Sequence, residues 1–516
     1  MLPSFEERFF MERMGLGKWL ILAVLFGLSY TQLPMYASNQ NQYLLHGYAE
    51  STGFLAEDWL AQTADPTPVF SAFVKAHNVL LPDGLFYFYH LILAGLYLFC
   101  LVRIATFCFP LSDSRWLKGI LIGLVIFAHA MILDEITNVM LGFTQEHLLS
   151  RGVKSQFLLG RFFQPSAFGV LLLLSIYLFL QRKWLLATAL LPLAATIHPT
   201  YLLPSALLTM GFMLSYFISE KKLTGTLKIA LVAQLLVTPI LVYTFLTFGD
   251  ESRVSLAEAQ SILVNFRIPH HIIQNTWAHG EWFYLRILTM IGGLYLIRRT
   301  RLFHVLIILF VGGAALTLAK ILWNSNFIAL VFPWRVSTIL IPLSISLFFA
   351  WALRKLHSFG GFRKAEQIVF FQSWISVGLA VLFGVYSMNG AYKRYHNDDA
   401  MPVMEFVKQN KRPGDCYVIP GDELEELENF RLETGAPILV DFKSIPYKSA
   451  DVFEWYARLR QVKKLYGENS LDMEALKSIR RDQKVTHLLI PNKIEYADSS
   501  SEVLFQDESW RLLKLP

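Results

Sequence analysis

The apolar positions of this chain gather into runs too long for the core of a soluble domain. They lie near 17–35, 86–109, 116–133, 166–181, 184–198, 201–218, 227–247, 282–297, 302–322, 335–353 and 367–388. A membrane-crossing helix needs about 20 mostly apolar residues, so the pattern predicts about eleven spans. The runs at 166–181 and 184–198 are the shortest and are joined by a tight "QRKW" turn.

The polar positions between the runs alternate in kind. One set of connections carries Arg103, Arg115 and Lys118, then Arg182 and Lys183, then Lys221, Lys222 and Lys228. It continues with Arg298, Arg299 and Arg301 and ends with Arg354, Lys355, Arg363 and Lys364. Excess Lys and Arg mark cytoplasmic connections, and eleven spans put all of these on that side. The other set is longer and mixed in chemistry. It holds the loop 37–85, the stretch after Ile132, "IHPTY", the segment from "FGDESR" to "AHGEW", "NSNFIALVFPWR", and everything from about 390 onward.

Past 390 the period changes. "MPVMEFVKQNKRPGDCYVIP" predicts a helix, a Pro-Gly-Asp turn and a buried strand, and "APILVDFK" and "VTHLLIP" predict two more strands. "DVFEWYARLRQVKKLYG" has helical spacing and a Gly stop. Alternating strands and helices predict a small, partly parallel α/β domain. The expected organisation is a membrane domain over 1–390 with a long first outer loop (37–85), and a soluble extracytoplasmic domain over 391–516.

Composition agrees. The chain has 516 residues, 54% hydrophobic and 17% charged, where soluble domains carry roughly 25% charged residues. The net charge of +6 sets membrane orientation; no basic stripe interleaved with aromatics points to nucleic acid. Cys100, Cys108 and Cys416 are too few and too scattered for a disulfide framework or a zinc site. The N-terminal segment lacks a small-residue cleavage site and reads as a retained first span.

Candidate chemistry recurs at the outer mouths of the runs. Glu57 and Asp58, in "LAEDWLAQTADPTP", sit in an aromatic-rich, amphipathic stretch, where a carboxylate between water and oil can be tuned as a base. Asp65 reads as a helix cap. Asp134 and Glu135 end a run; adjacent helical residues diverge by about 100°, so one of them faces the bundle interior. A carboxylate at membrane depth is costly and marks a functional site. "GRFFQP" supplies Arg161 and Gln164, "HPTY" supplies His198, "FRIPHH" supplies Arg267, His270 and His271, and "FPWR" supplies Arg335. Such cationic and imidazole groups suit a phosphate or a leaving-group oxygen. The paired histidines lack a carboxylate at helical spacing, so no metal or other cofactor is indicated.

Taken together, the chain resembles the GT-C superfamily of polytopic membrane glycosyltransferases. "LAEDW" matches the position of that family's acidic catalytic residue, with Asp58 the nearest counterpart and Glu57 beside it. "NQYLLHG", "EDWLAQTADPTPVF", "GRFFQPSAFG", "HPTY", "RIPHH", "FPWR" and "FRLETGAPILVDFKSIPY" are similar to a bacterial group of GT-C-like membrane proteins. The resemblance implies a polyprenyl-phosphate sugar donor, a glycan or protein acceptor, and an inner-membrane location with the C-terminal domain outside. The chain departs from the family in lacking a WWDYG-type acceptor motif and a DxD in the first loop. A lipid-linked-glycan transporter and a non-catalytic membrane scaffold remain alternatives.

Overall fold

The computed structural model describes residues 15–111, 114–142, 147–249, 253–269, 282–421, 427–467, 470–496 and 500–516. Each apolar run falls on helix. Among the described residues, six helices are long and apolar enough to cross a membrane: Leu85–Cys108, Pro199–Glu220, Leu223–Phe248, Arg301–Trp323, Asn326–His357 and Gly360–His396. Arg115–His129 and Met131–Met140, bent by 67°, make a seventh if they count as one span. The other four runs form shorter apolar helices: Leu16–Tyr30, Pro165–Leu180, Trp184–Ile197 and Phe283–Leu296. The chain is thus a largely helical, polytopic membrane protein with a small C-terminal sheet domain.

The chain divides into two compact units. The first comprises Met1–Gln32, Phe86–Pro239 and His270–Asn389. The second comprises Leu33–Leu85, Ile240–Pro269 and Gly390–Pro516. The segment Leu33–Leu85 therefore folds with the C-terminal region, as does Ile240–Pro269.

Within the first unit, burial sorts the helices by environment. The most apolar window of Asn326–His357 is 78% buried in protein, against 17% in Gly360–His396. The latter presents Phe371, Ile375, Leu379 and Leu382 outward, as a lipid-facing helix should. Close helix approach relies on small residues. A Cβ on Gly95 would lie 2.6 Å from that of Ala23, and one on Gly211 would lie 2.9 Å from the backbone of Val305. At Gly384 an added methyl would collide with the Leu28 carbonyl, whereas at Gly378 it would meet open space. Gly384→Ala should therefore cost about 1–3 kcal/mol through overpacking. Gly378→Ala should be neutral or slightly stabilising. Thermal denaturation in one detergent compares the two, and equal melting temperatures would contradict this packing.

The helix break at Ala130 carries no proline or glycine signal. Ala130 is extended (φ −73°, ψ 141°). His129 is held just before it, one ring nitrogen 2.8 Å from the Val125 carbonyl and the other 3.1 Å from the Tyr97 hydroxyl. The following helix, Met131–Leu141, starts afresh and carries Asp134 in its first turn, where the helix dipole favours a carboxylate.

The second unit is built on a four-stranded sheet: β1 (Tyr417–Val418), β2 (His487–Pro491), β3 (Glu502–Gln506) and β4 (Trp510–Lys514), in the order β1-β2-β4-β3. β1 and β2 are parallel; the other pairs are antiparallel, with Leu489 opposite Leu512. Side chains alternate across the sheet. Val418, Leu488, Ile490 and Leu513 pack on Trp455, Leu459 and Val462 of the helix Ser449–Leu465. Tyr417, Leu489 and Leu512 pack on Val403, Met404 and Val407 of the helix Met401–Asn410. Trp59 and Phe266 join the first of these cores, which is how the two distant loop segments become part of the unit.

One expected strand is not regular. "APILVDFK" makes only an isolated bridge, Tyr417 to Ile438. Its backbone is engaged by side chains: the Ile438 amide donates to Asp58 at 3.1 Å, and the Leu439 carbonyl accepts from Arg458 at 3.3 Å. β3 and β4 were not among the predicted strands.

Candidate functional site

Asp58 lies in the second unit and is 0% exposed. Its Oδ2 accepts from Arg431 Nε at 2.8 Å and from the Ile438 amide. Its Oδ1 accepts from the Leu60 and Ala61 amides at 2.9 and 3.4 Å. Arg431, 1% exposed, donates through Nη1 to Asp441 at 2.5 Å. Asp441 in turn accepts from the Ser444 amide, and its carbonyl accepts from the Trp455 indole. Burial works against the Arg431 charge, but the two carboxylates outweigh it and push its pKa up. The expectation that Asp58 faces a cavity as a base is therefore corrected: both oxygens are spent on donors and none is open to an acceptor hydroxyl. Glu57 is exposed and accepts from the Gly414 amide at 2.9 Å. Arg267 is also structural here. It is buried, donates to the Lys443 carbonyl at 2.8 Å and lies 4.8 Å from the Phe442 ring centre. His270 and His271 lie outside the described residues.

The first unit gathers a different set of groups. Asp134 is half-buried and Glu135 is exposed, so one acid of the pair turns inward. Asp134 Oδ2 lies 2.8 Å from Nδ1 of His147, and Oδ1 accepts from the His147 amide at 3.1 Å. The His147 carbonyl accepts from the amides of Ser150 and Arg151 at 3.0 and 2.9 Å. Arg151 and Arg161 both act on the His147 ring. Burial first, opposed by the bond to Asp134 and reinforced by the arginines, leaves the His147 pKa below its ordinary value.

Residues 151–161 have little regular structure, and specific contacts hold them. The Tyr30 hydroxyl donates to the Leu159 carbonyl, and His90 bonds the Gly160 carbonyl at 2.8 Å. Arg161 Nε donates to Thr31 Oγ1 at 2.8 Å. The Val153 amide donates to Ser337 Oγ at 2.8 Å. A Cβ on Gly152 would come within 2.5 Å of Ser337 Oγ and 2.8 Å of the Thr338 amide. Only glycine lets the Arg151 segment sit against the helix Ser337–His357.

Just before that helix, Arg335 donates to Thr200 Oγ1 at 2.7 Å and lies 5.6 and 5.9 Å from the ring centres of Phe332 and Tyr201. His198, 4% exposed, packs against Tyr201 with ring centres 5.6 Å apart. The Tyr201 hydroxyl donates to the Ser166 carbonyl at 2.5 Å, and Gln164 donates to Ser166 Oγ. The Nε of Arg151 and the Nε of Arg335 are buried with no hydrogen-bond partner among the described residues. A buried, unpaired donor costs about 1–3 kcal/mol. Among the described residues, no group of three or more His, Cys, Asp or Glu is placed to hold a metal ion.

Of the residues singled out in the sequence, Asp134, Glu135, Arg161, Gln164, His198 and Arg335 thus lie within one unit. His147 and Arg151 escaped sequence reasoning. "EHLLSRG" shows no periodic or motif signal; the one cue was a histidine and an arginine in a stretch already holding Asp134 and Arg161.

A family model described as "Domain of unknown function (DUF6798)" matches residues 398–462, which include Arg431, Asp441 and Trp455. No curated protein matches the chain. Among solved structures, the chain is similar to the crystal structure of ArnT from Cupriavidus metallidurans bound to undecaprenyl phosphate. That similarity has 9% identity, covers 96% of each chain and gives a TM-score of 0.48.

Proposed function

We propose that the first unit is a lipid-linked sugar transferase of the GT-C kind. It moves a sugar from a polyprenyl-phosphate carrier to a hydroxyl of a glycan or protein acceptor, at the outer face of a bacterial inner membrane. The observation that carries this reading is the pair of buried, unpaired guanidinium Nε–H groups of Arg151 and Arg335. They flank the Gly152–Ser337 contact, in a unit whose helices face lipid, with the Asp134 carboxylate and the His147 imidazole beside Arg151. Cations suit the phosphate, a base suits the acceptor hydroxyl, and an apolar surround suits the prenyl tail. The sequence resemblance at "GRFFQP", "HPTY" and "FPWR" runs through Arg161, His198 and Arg335. A base opposite the leaving group implies inversion at the anomeric carbon.

The transporter alternative has one broken span to its credit, at Ala130. Among the described residues no second bent pair matches it, whereas alternating-access folds pair such breaks across two repeats.

The test is turnover. Full-length protein in lipid nanodiscs would be given a panel of undecaprenyl-phospho-sugars, with bacterial membrane extract as the source of acceptors. Release of undecaprenyl phosphate should depend on the protein. Arg335→Ala should slow it by about 10²-fold, the scale of losing one preorganised donor at a developing charge. No release from any donor in the panel would defeat the reading.

A further inference from the structure

We propose that His147 takes the proton from the acceptor hydroxyl, with Asp134 as its positioning residue; this assignment rests on the transferase reading above. Asp134 cannot readily be the base, because both of its oxygens are engaged by the same residue. Oδ2 holds the ring through Nδ1 at 2.8 Å, and Oδ1 holds the backbone amide at 3.1 Å. A bond from Nδ1 to a carboxylate requires that Nδ1 carry the ring proton. In the neutral ring the lone pair is then on Nε2, which no described residue hydrogen-bonds.

The local backbone serves this placement. His147 has φ +52°, a left-handed conformation uncommon for residues other than glycine and several-fold enriched for histidine. Such conformations persist where surrounding structure holds them. Here the Asp134 carboxylate holds the amide, and the amides of Ser150 and Arg151 hold the carbonyl. One turn therefore presents both the imidazole and the Arg151 guanidinium, so a base and a phosphate cation come from the same few residues.

The groups facing the ring decide its state. Asp134, from the helix after the break, favours the protonated form. Arg151 on the ring's own turn and Arg161 disfavour it, as does burial. His129, on the preceding helix, feels the His147 charge in turn. The folded-state pKa lies below the ordinary value, so the ring is neutral and able to accept a proton near pH 7. A base is most effective when its pKa lies near the working pH, which an imidazole meets more closely than a carboxylate.

In the step itself, the acceptor O–H proton passes to Nε2 as the oxygen lone pair bonds the anomeric carbon. The bond from that carbon to the phosphate oxygen breaks, and its electron pair leaves on the polyprenyl phosphate beside the guanidinium groups. The imidazolium, stabilised by Asp134, then returns its proton to water.

Full-length wild type, H147Q and D134N in nanodiscs test this, with undecaprenyl phosphate as the binding probe and its release from undecaprenyl-phospho-sugars as the turnover probe. H147Q should bind undecaprenyl phosphate like wild type and lose about 10²–10⁴-fold in turnover, the range for general-base removal. D134N should retain binding and turn over more slowly. Its acid-side activity limb should move to lower pH, because the ring loses the charge that favours its protonation. A merely structural role for Asp134 would leave that limb in place. H147Q with wild-type turnover and intact binding would overturn the assignment while the transferase reading stands. H147Q that loses binding together with turnover would also overturn it, marking His147 as structural. A wild-type protein that neither binds nor releases undecaprenyl phosphate would overturn both.

Discussion

Replacing Arg431 by alanine will destabilise the C-terminal unit by about 3–5 kcal/mol, the scale for breaking a buried ion pair from one side. Domains have about 5–15 kcal/mol to lose, so much of the unit's stability would go with one side chain. The loss arises because Arg431 lies between two carboxylates. Without it Asp58, 0% exposed, and Asp441, 8% exposed, face each other's charge in a dry setting. Asp58→Asn should also destabilise. The four donors around Asp58 are N–H groups, and a carboxamide presents an NH₂ where one of its oxygens accepted them. The double variant Asp58→Asn/Arg431→Gln should lose less than the sum of the single losses, since contacting residues couple by about 0.5–3 kcal/mol. Thermal denaturation and the rate of proteolytic cleavage within 398–462 would read these losses. An Asp58→Asn protein with wild-type stability but no turnover would contradict the structural assignment and restore Asp58 as a base.

Lipid-phosphate affinity should fall in Arg151→Ala and in Arg335→Ala by roughly 10- to 150-fold each, corresponding to about 1.5–3 kcal/mol per charge-assisted hydrogen bond. Lysine at either position should recover part of the loss, because it restores the charge without the planar fork. The Nε–H groups point to this outcome: both are buried and unpaired, so a ligand that bonds them also removes the cost of leaving them unmet. Undecaprenyl phosphate binding in nanodiscs, followed by native mass spectrometry, would give the ratios. Unchanged affinity in both variants would remove these arginines from the site.

The helical runs were legible in the sequence because apolar length is a property of the local chain. All eleven fall on helices, yet four are shorter than a straight crossing needs, and the break at Ala130 left no mark in "FAHAM". The C-terminal helices were legible for the same reason. The strand expected at "APILVDFK" failed because side chains of Asp58 and Arg458 take backbone groups a neighbouring strand would have used. Asp58 shows the limit most clearly. An acidic residue beside a tryptophan in a loop looks the same whether it will be open or enclosed. What encloses it is Arg431, 373 positions away, and no local pattern announces that pairing. Likewise Asp134 was legible as a costly carboxylate, but His147 was not, because its significance comes from the fold that returns it to Asp134.

The most direct measurement is an experimental structure of the full-length protein with undecaprenyl phosphate. Phosphate oxygens should lie within hydrogen-bond range, about 2.7–2.9 Å, of Arg151 Nε and Arg335 Nε, with the prenyl chain leaving between apolar helices into lipid. A phosphate bound elsewhere, with both Nε–H groups satisfied by protein, would contradict this.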